Sequence, residues 1–102
     1  FVKMVTRIVK LTFKPENVSS FLQLFDTVKQ HIASFPGCDG VKLYRDLHHD
    51  NVYFTYSHWD TDQSLQAYRQ SALFDDTWTK TKALFGDKPQ AWSLIEAEKN
   101  AI

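Results

Sequence analysis

The sequence is poor in the residues that build special sites. Cys38 is its one cysteine, which excludes an internal disulfide and any multi-thiolate metal centre. Such sparing use fits a reducing compartment, and a cytoplasmic location is the expectation. Three glycines and three prolines in 102 residues leave no low-complexity run and no linker. Neither sign of charge predominates, because twelve Lys and Arg balance twelve Asp and Glu. The long-range field that draws a protein to phosphates is therefore missing, and nucleic acid and membrane surfaces are excluded as expected partners. No apolar run approaches the roughly 20 residues of a membrane span. The opening Phe1-Val2-Lys3-Met4-Val5 alternates with polar residues, unlike a signal peptide, and reads as the start of a strand.

Aromatic residues are what the chain has in quantity: eight Phe, four Tyr and three Trp. Rings of this size bury large areas and need something to pack against. The length predicts one domain over residues 1–102 with room for a single core. A small core does not absorb so many rings, so they line a pocket or a partner interface.

Periodicity orders the elements. Val2 to Lys14 reads as a strand with Val5, Val9, Leu11 and Phe13 on one side and Met4, Ile8 and Thr12 on the other. Lys14-Pro15-Glu16-Asn17 ends it and opens a helix, since proline suits the first helical turn and Glu16 its positive end. Val18, Phe21, Leu22, Phe25, Val28 and Ile32 then fall on one helical stripe. Phe35-Pro36-Gly37 stops that helix. Asp39 to Asp46 and Val52 to Trp59 are two strands of a hairpin, turning at Asp50-Asn51. Asp60-Thr61-Asp62-Gln63 reads as an N-cap with a capping-box glutamine, followed by a helix that carries Leu65 and Tyr68 inward. Ser71 offsets a second helical segment with Leu73, Phe74, Thr77, Trp78, Thr81, Leu84 and Phe85 on its stripe, closed by Gly86. Gln90 to Glu98 is the last strand, with Trp92 and Leu94 opposite Ala91, Ser93 and Ile95.

The order βαββαβ is that of a ferredoxin-like α+β fold, with a four-stranded antiparallel sheet and the helices on one face. The strands are apolar on both faces, so the other face would be an exposed patch larger than soluble monomers usually carry. Pairing of two copies through their sheet faces, a homodimer, is the expected cover.

Phe35-Pro36-Gly37-Cys38 after the first helix, Trp59 at a strand end, Leu65 and Tyr68 on the next helix, then Ser71 and Phe74, resemble the antibiotic biosynthesis monooxygenase-like domains of the dimeric α+β barrel group. The resemblance covers almost the whole chain. It implies a pocket between sheet and helices for a small aromatic or apolar ligand. It also implies, for some members, oxygenation of phenols or quinols by molecular oxygen with no cofactor and no metal; others degrade haem. Relatives often carry glutamate where this chain has Ser57, and histidine where it has Tyr68 and Leu73. The Asn-Trp-His set of the haem-degrading branch would fall among Arg7, Ile8 and Val9, near Tyr68 and near Trp78, and none of the three is kept.

Cofactor-free oxygenation needs a proton acceptor, aromatic walls and stabilisation of negative charge. Tyr68, at the position where the resemblance puts a pocket-lining residue, is a candidate catalytic residue together with Arg7, a guanidinium on an otherwise apolar strand face, and His58, a strand-end imidazole; Trp59, Phe74, Trp78 and Ser71 are the candidate substrate-binding ones. Each has a plainer reading. Tyr68 can be a core ring with a wet hydroxyl, and Trp78 and Phe74 core aromatics. Arg7 can form an interfacial salt bridge. His58 can be a solvated strand-end histidine, and Ser71 an N-cap rather than a nucleophile. His48, His49 and Asp50 have metal-ligand chemistry, but they are consecutive in a turn, where side chains diverge. Cys38 lacks a basic neighbour and reads as a small filler.

Overall fold

The computed structural model describes residues 4–97. Along the chain stand β1 (Val5–Thr12), a 3-10 turn (Pro15–Asn17), α1 (Val18–Ala33), β2 (Cys38–Arg45), β3 (Val52–Trp59), α2 (Asp62–Arg69), α3 (Ala72–Lys82) and β4 (Gln90–Leu94). The strands form one antiparallel sheet in the order β2-β3-β1-β4, the ferredoxin-like arrangement, and the helices cover one face. The last strand, expected to reach Glu98, ends at Leu94, and residues 95–97 leave the sheet; Val2 and Glu98 themselves lie outside the described residues.

Register assigns every side chain to a face. Val5 pairs with Trp59, Arg7 with Ser57, Val9 with Thr55 and Leu11 with Tyr53. Because side chains alternate across a strand, these eight share the helix-covered face. Thr6, Ile8 and Lys10 of β1 point the other way, together with Phe54, Tyr56 and His58 of β3 and Trp92 and Leu94 of β4. On this open face Tyr44 meets Tyr56 edge to face, ring centroids 5.1 Å apart, and Met4, Tyr44, Trp92 and Leu94 are exposed.

The helix-covered face holds two separate cores, one at each end of the β1-β3 pair. Val5, Ile32, Trp59, Leu65 and Tyr68 form the first, with Val28, Phe35, Leu73 and Phe74 against it. Leu11, Phe13, Phe21 and Tyr53 form the second, with Phe25, Trp78 and Phe85 against it. Phe13 stacks on Phe21 at 4.2 Å. Between the two ends the sheet presents Arg7, Val9, Thr55 and Ser57, which are smaller or polar, and here a cavity opens.

Local signals explain the turns. Gly37 has φ +88°, and a Cβ there would collide with the Ser64 side chain and lie 2.7 Å from Asp60 Oδ1, so glycine alone fits between α1 and the start of α2. Gly40 has φ +135° at the bulge where β2 shifts register between Cys38 and Val41. Gly86 closes the helical region by proximity instead: its N–H reaches the Thr12 carbonyl at 2.9 Å, and a Cβ would press on the backbone of Phe13 and Lys14. The hairpin is bridged by Asp46, whose Oδ1 accepts from the N–H groups of His48 (2.9 Å) and His49 (3.1 Å) and contacts His49 Nδ1 at 3.0 Å. These contacts hold the Asp46 carboxyl below its usual range, the His49 side chain contributing most.

Two sequence expectations need correction. The N-cap of α2 is Thr61, not Asp60: its hydroxyl accepts from the Ser64 N–H at 3.0 Å. Leu22 is 40% exposed and does not join the inward stripe of α1; its neighbour Leu24 turns to the cavity instead.

Candidate functional site

The cavity measures about 300 Å³ and lies between the middle of the sheet and all three helices. That is the lower end of the range for small-molecule sites. Phe21, Leu24, Phe25, Val28 and Ile32 of α1 form one wall, and Phe74, Thr77, Trp78 and Thr81 of α3 another. Arg7, Val9, Thr55 and Ser57 form the floor, and Pro89, Gln90 and Ala91 a rim. Phe74 and Trp78, four residues apart on one helix face, stack 5.8 Å apart with planes at 11°.

Tyr68 stands at the end nearer the first core. It is 9% exposed, braced edge-on by Phe35 at 5.4 Å and Phe74 at 5.3 Å, and backed by Trp59 at 5.0 Å. Its hydroxyl has no hydrogen-bond partner among the described residues. Burial, with a smaller contribution from Cys38, pushes its phenol up to about 12. Tyr68 is therefore a neutral donor at physiological pH rather than a proton acceptor.

Arg7 projects from the centre of β1 on the same face. Its Nη1 donates to Ser93 Oγ at 2.8 Å, the residue paired with it on β4. No carboxylate lies within 4.0 Å of it among the described residues. Burial lowers its affinity for its proton, Arg69 lowers it further and Asp62 opposes both. The Arg7 side chain faces the helices, not the open face of the sheet.

The structure brings Arg7, Tyr68, Phe74 and Trp78 of the sequence candidates to the cavity. It does not bring the other three there. His58 pairs in register with Thr6 on the opposite face of the sheet, its Nδ1 3.2 Å from Thr6 Oγ1, and the sheet separates it from the cavity. Trp59 has no exposed surface; it stands behind Tyr68, its Nε1 donating to Ser57 Oγ at 3.0 Å. Ser71 uses both capacities of its hydroxyl locally, donating to the Tyr68 carbonyl at 2.6 Å and accepting from the Phe74 N–H at 3.1 Å. It is the N-cap of α3. Cys38 is half-buried, and burial raises its thiol above the usual value, which makes it a poor nucleophile.

Sequence reasoning missed Arg69, Thr55, Ser57 and Thr77 as lining residues. Arg69 is the last residue of α2 and lines the cavity with Arg7. Thr77 Oγ1 is buried at the wall without a partner among the described residues. Among the described residues, no carboxylate and no histidine lines the cavity. Its polar groups are guanidiniums, hydroxyls and the side-chain amide of Gln90.

A ferredoxin-like sheet with a ligand-sized, aromatic-walled cavity under its helices defines a class of small α+β proteins. The sequence model of the antibiotic biosynthesis monooxygenase family matches residues 4–80, and the chain belongs to that family. Its fold is similar to that of SnoaB, a cofactor-independent oxygenase from Streptomyces nogalater, with a TM-score of 0.84 and 18% identity over 96% of this chain and 97% of that one. A conserved protein from Methanosarcina mazei Go1 is similar with a TM-score of 0.86 and 17% identity over 91% of this chain and 92% of that one. At such identities the likeness is one of fold. A Halobacterium salinarum protein named "Putative heme-binding protein" is 29% identical over 77 residues, 76% of this chain, and this chain spans only 16% of that protein's length.

Proposed function

We propose that the chain is a cofactor-independent monooxygenase acting on a small aromatic molecule of phenol or quinol type, bound between sheet and helices. The observation that carries the reading is the pairing of Phe74 and Trp78 as flat walls with Arg7 and Tyr68 as donors in one cavity. Family membership and the fold shared with a cofactor-independent oxygenase support it. The electrons come from the substrate. For a phenol, the ring carbon para to the oxygen takes one atom of O₂ and becomes a carbonyl. The other oxygen atom leaves as water with the two hydrogens that the phenol loses. Arg7 and the Tyr68 hydroxyl would stabilise the phenolate and then the peroxide oxygen, where negative charge gathers.

Incubation with a panel of phenols and hydroquinones that keep a free ring position, aerobically and anaerobically, with labelled oxygen in the product as the readout, tests this. Oxygen-dependent product above the uncatalysed rate, lost in Tyr68→Phe with Arg7→Ala, is the expected result. No such excess, or turnover indifferent to both substitutions, defeats it.

A second reading is favoured by one observation: among the described residues, none that lines the cavity can act as a general base. A dimer that holds a small aromatic or apolar ligand without chemistry fits that lack. Saturable thermal stabilisation by a ligand that is never converted would select it. In either case two copies would pair through the open sheet faces, covering Met4, Tyr44, Trp92 and Leu94.

Haem, which the halobacterial relative's name raises, does not fit. Of the residue types that ligate haem iron, the described residues of the cavity offer only Tyr68, and its high pKa disfavours the phenolate that iron would need.

A further inference from the structure

The cavity has an electrostatic bias that an oxygenase for neutral phenols would not require. Arg69 from α2 lines it beside Arg7 from β1. The hydrogen bonds they make end on neutral groups: Arg7 on Ser93 Oγ at 2.8 Å, Arg69 on Gln66 Oε1 at 3.3 Å. Asp62 partly offsets the field at Arg7, and its carboxylate accepts from Gln66 Nε2 at 3.2 Å rather than from either guanidinium. Neither guanidinium has a carboxylate within 4.0 Å among the described residues. Two like charges at one small cavity repel each other, and the partial desolvation of Arg7 is costly without an anion; Arg69, exposed at the edge of the cavity, is free to turn toward one. Planar guanidinium forks are also well shaped for an oxyanion held through two hydrogen bonds.

We propose that the cavity selects a ligand that already carries negative charge at neutral pH: a planar aromatic acid or acidic phenol, its oxygen anion at Arg7 and Arg69 and its ring against Phe74 and Trp78. This rests on the reading of the cavity as a site for small aromatic molecules, and adds the ligand's charge and a binding role for Arg69. It also accounts for the missing base, because a ligand that arrives ionised has no proton to give up.

The test compares 1-naphthoate with 1-naphthamide, which share a ring body and a similar shape and differ in charge, by titration calorimetry at pH 7. Naphthoate is expected to bind more tightly by about tenfold or more, with an advantage that shrinks as salt is added. The Arg7→Gln, Arg69→Gln double variant should lose that preference while still binding naphthamide, which shows the cavity intact. Equal or tighter binding of naphthamide, a preference that survives in the double variant, or no binding of either at millimolar concentration overturns the proposal. Oxygen uptake with a carboxylated hydroquinone, 2,5-dihydroxybenzoate, alongside a neutral hydroquinone judges the oxygenase reading separately. Preference for naphthoate without uptake leaves the anion site and removes the catalysis, whereas uptake without the preference does the reverse.

Discussion

Tyr68 lies over Trp59 with ring centroids 5.0 Å apart and planes 27° from parallel. One ring faces the cavity, and the other, wholly buried, fixes its position. Trp59→Ala is expected to cost about 3–5 kcal/mol and to release Tyr68, so denaturant titration should show the loss together with weakened ligand binding. Trp59→Phe keeps a ring but removes the donor to Ser57, and should cost less.

Tyr68 makes stability fall at alkaline pH. Its folded-state pKa of about 12 exceeds the usual value of 10.0. Below about 10 both folded and unfolded chains keep the proton, and the contribution is fully present; as pH rises toward about 12 only the unfolded chain ionises, and it is lost. The effect is on the order of 3 kcal/mol across that window. Tyr68→Phe should flatten this part of the curve of unfolding free energy against pH. An unchanged slope would contradict the burial of the phenol.

Gly37 and Gly40 separate two costs of replacing glycine. At Gly40 an added Cβ meets nothing within 4 Å, so Gly40→Ala pays for its positive φ alone, roughly 1–3 kcal/mol. Gly37→Ala adds the collision with Ser64 and Asp60 and should lower the melting temperature further. Equal effects would mean that the start of α2 yields freely.

Ser71→Ala removes an N-cap and should cost about 1 kcal/mol with ligand affinity unchanged, because the hydroxyl is already committed to Tyr68 and Phe74. His58→Ala should leave affinity unchanged as well, since the sheet stands between His58 and the cavity. A large loss of affinity in either variant would return that residue to the site.

Ile8 and Trp92 are register neighbours on the open face. Replacing both with lysine should convert the proposed dimer to monomer in sedimentation velocity. An unchanged sedimentation coefficient would place the contact elsewhere.

The element order, the inward residues Phe21, Ile32, Leu65 and Tyr68, and the cap at Ser71 were all legible from spacing. Helical stripes and N-caps are local patterns, and the local pattern carries their meaning. The faces of the sheet were not legible. A period of two shows that Arg7 and Val9 share a side with Val5, but where both sides are apolar it does not show which side the helices cover. Strand β3 compounds the difficulty by turning Thr55 and Ser57 toward the helices and Phe54 and Tyr56 away. His58 was misjudged for the same reason: proximity to Trp59 in sequence means opposite faces in a strand. Arg69 gives no local sign at all, because only the docking of α2 over the sheet sets its guanidinium beside that of Arg7.

The two cores sit at opposite ends of β1 and β3, and their most enclosed rings, Phe13 and Trp59, stand outside the cavity lining. The middle of the sheet can exchange a threonine for a valine, or an arginine for a smaller residue, while Phe13 and Trp59 go on anchoring either end. Substitutions confined to that middle would change what the cavity holds without touching either anchor.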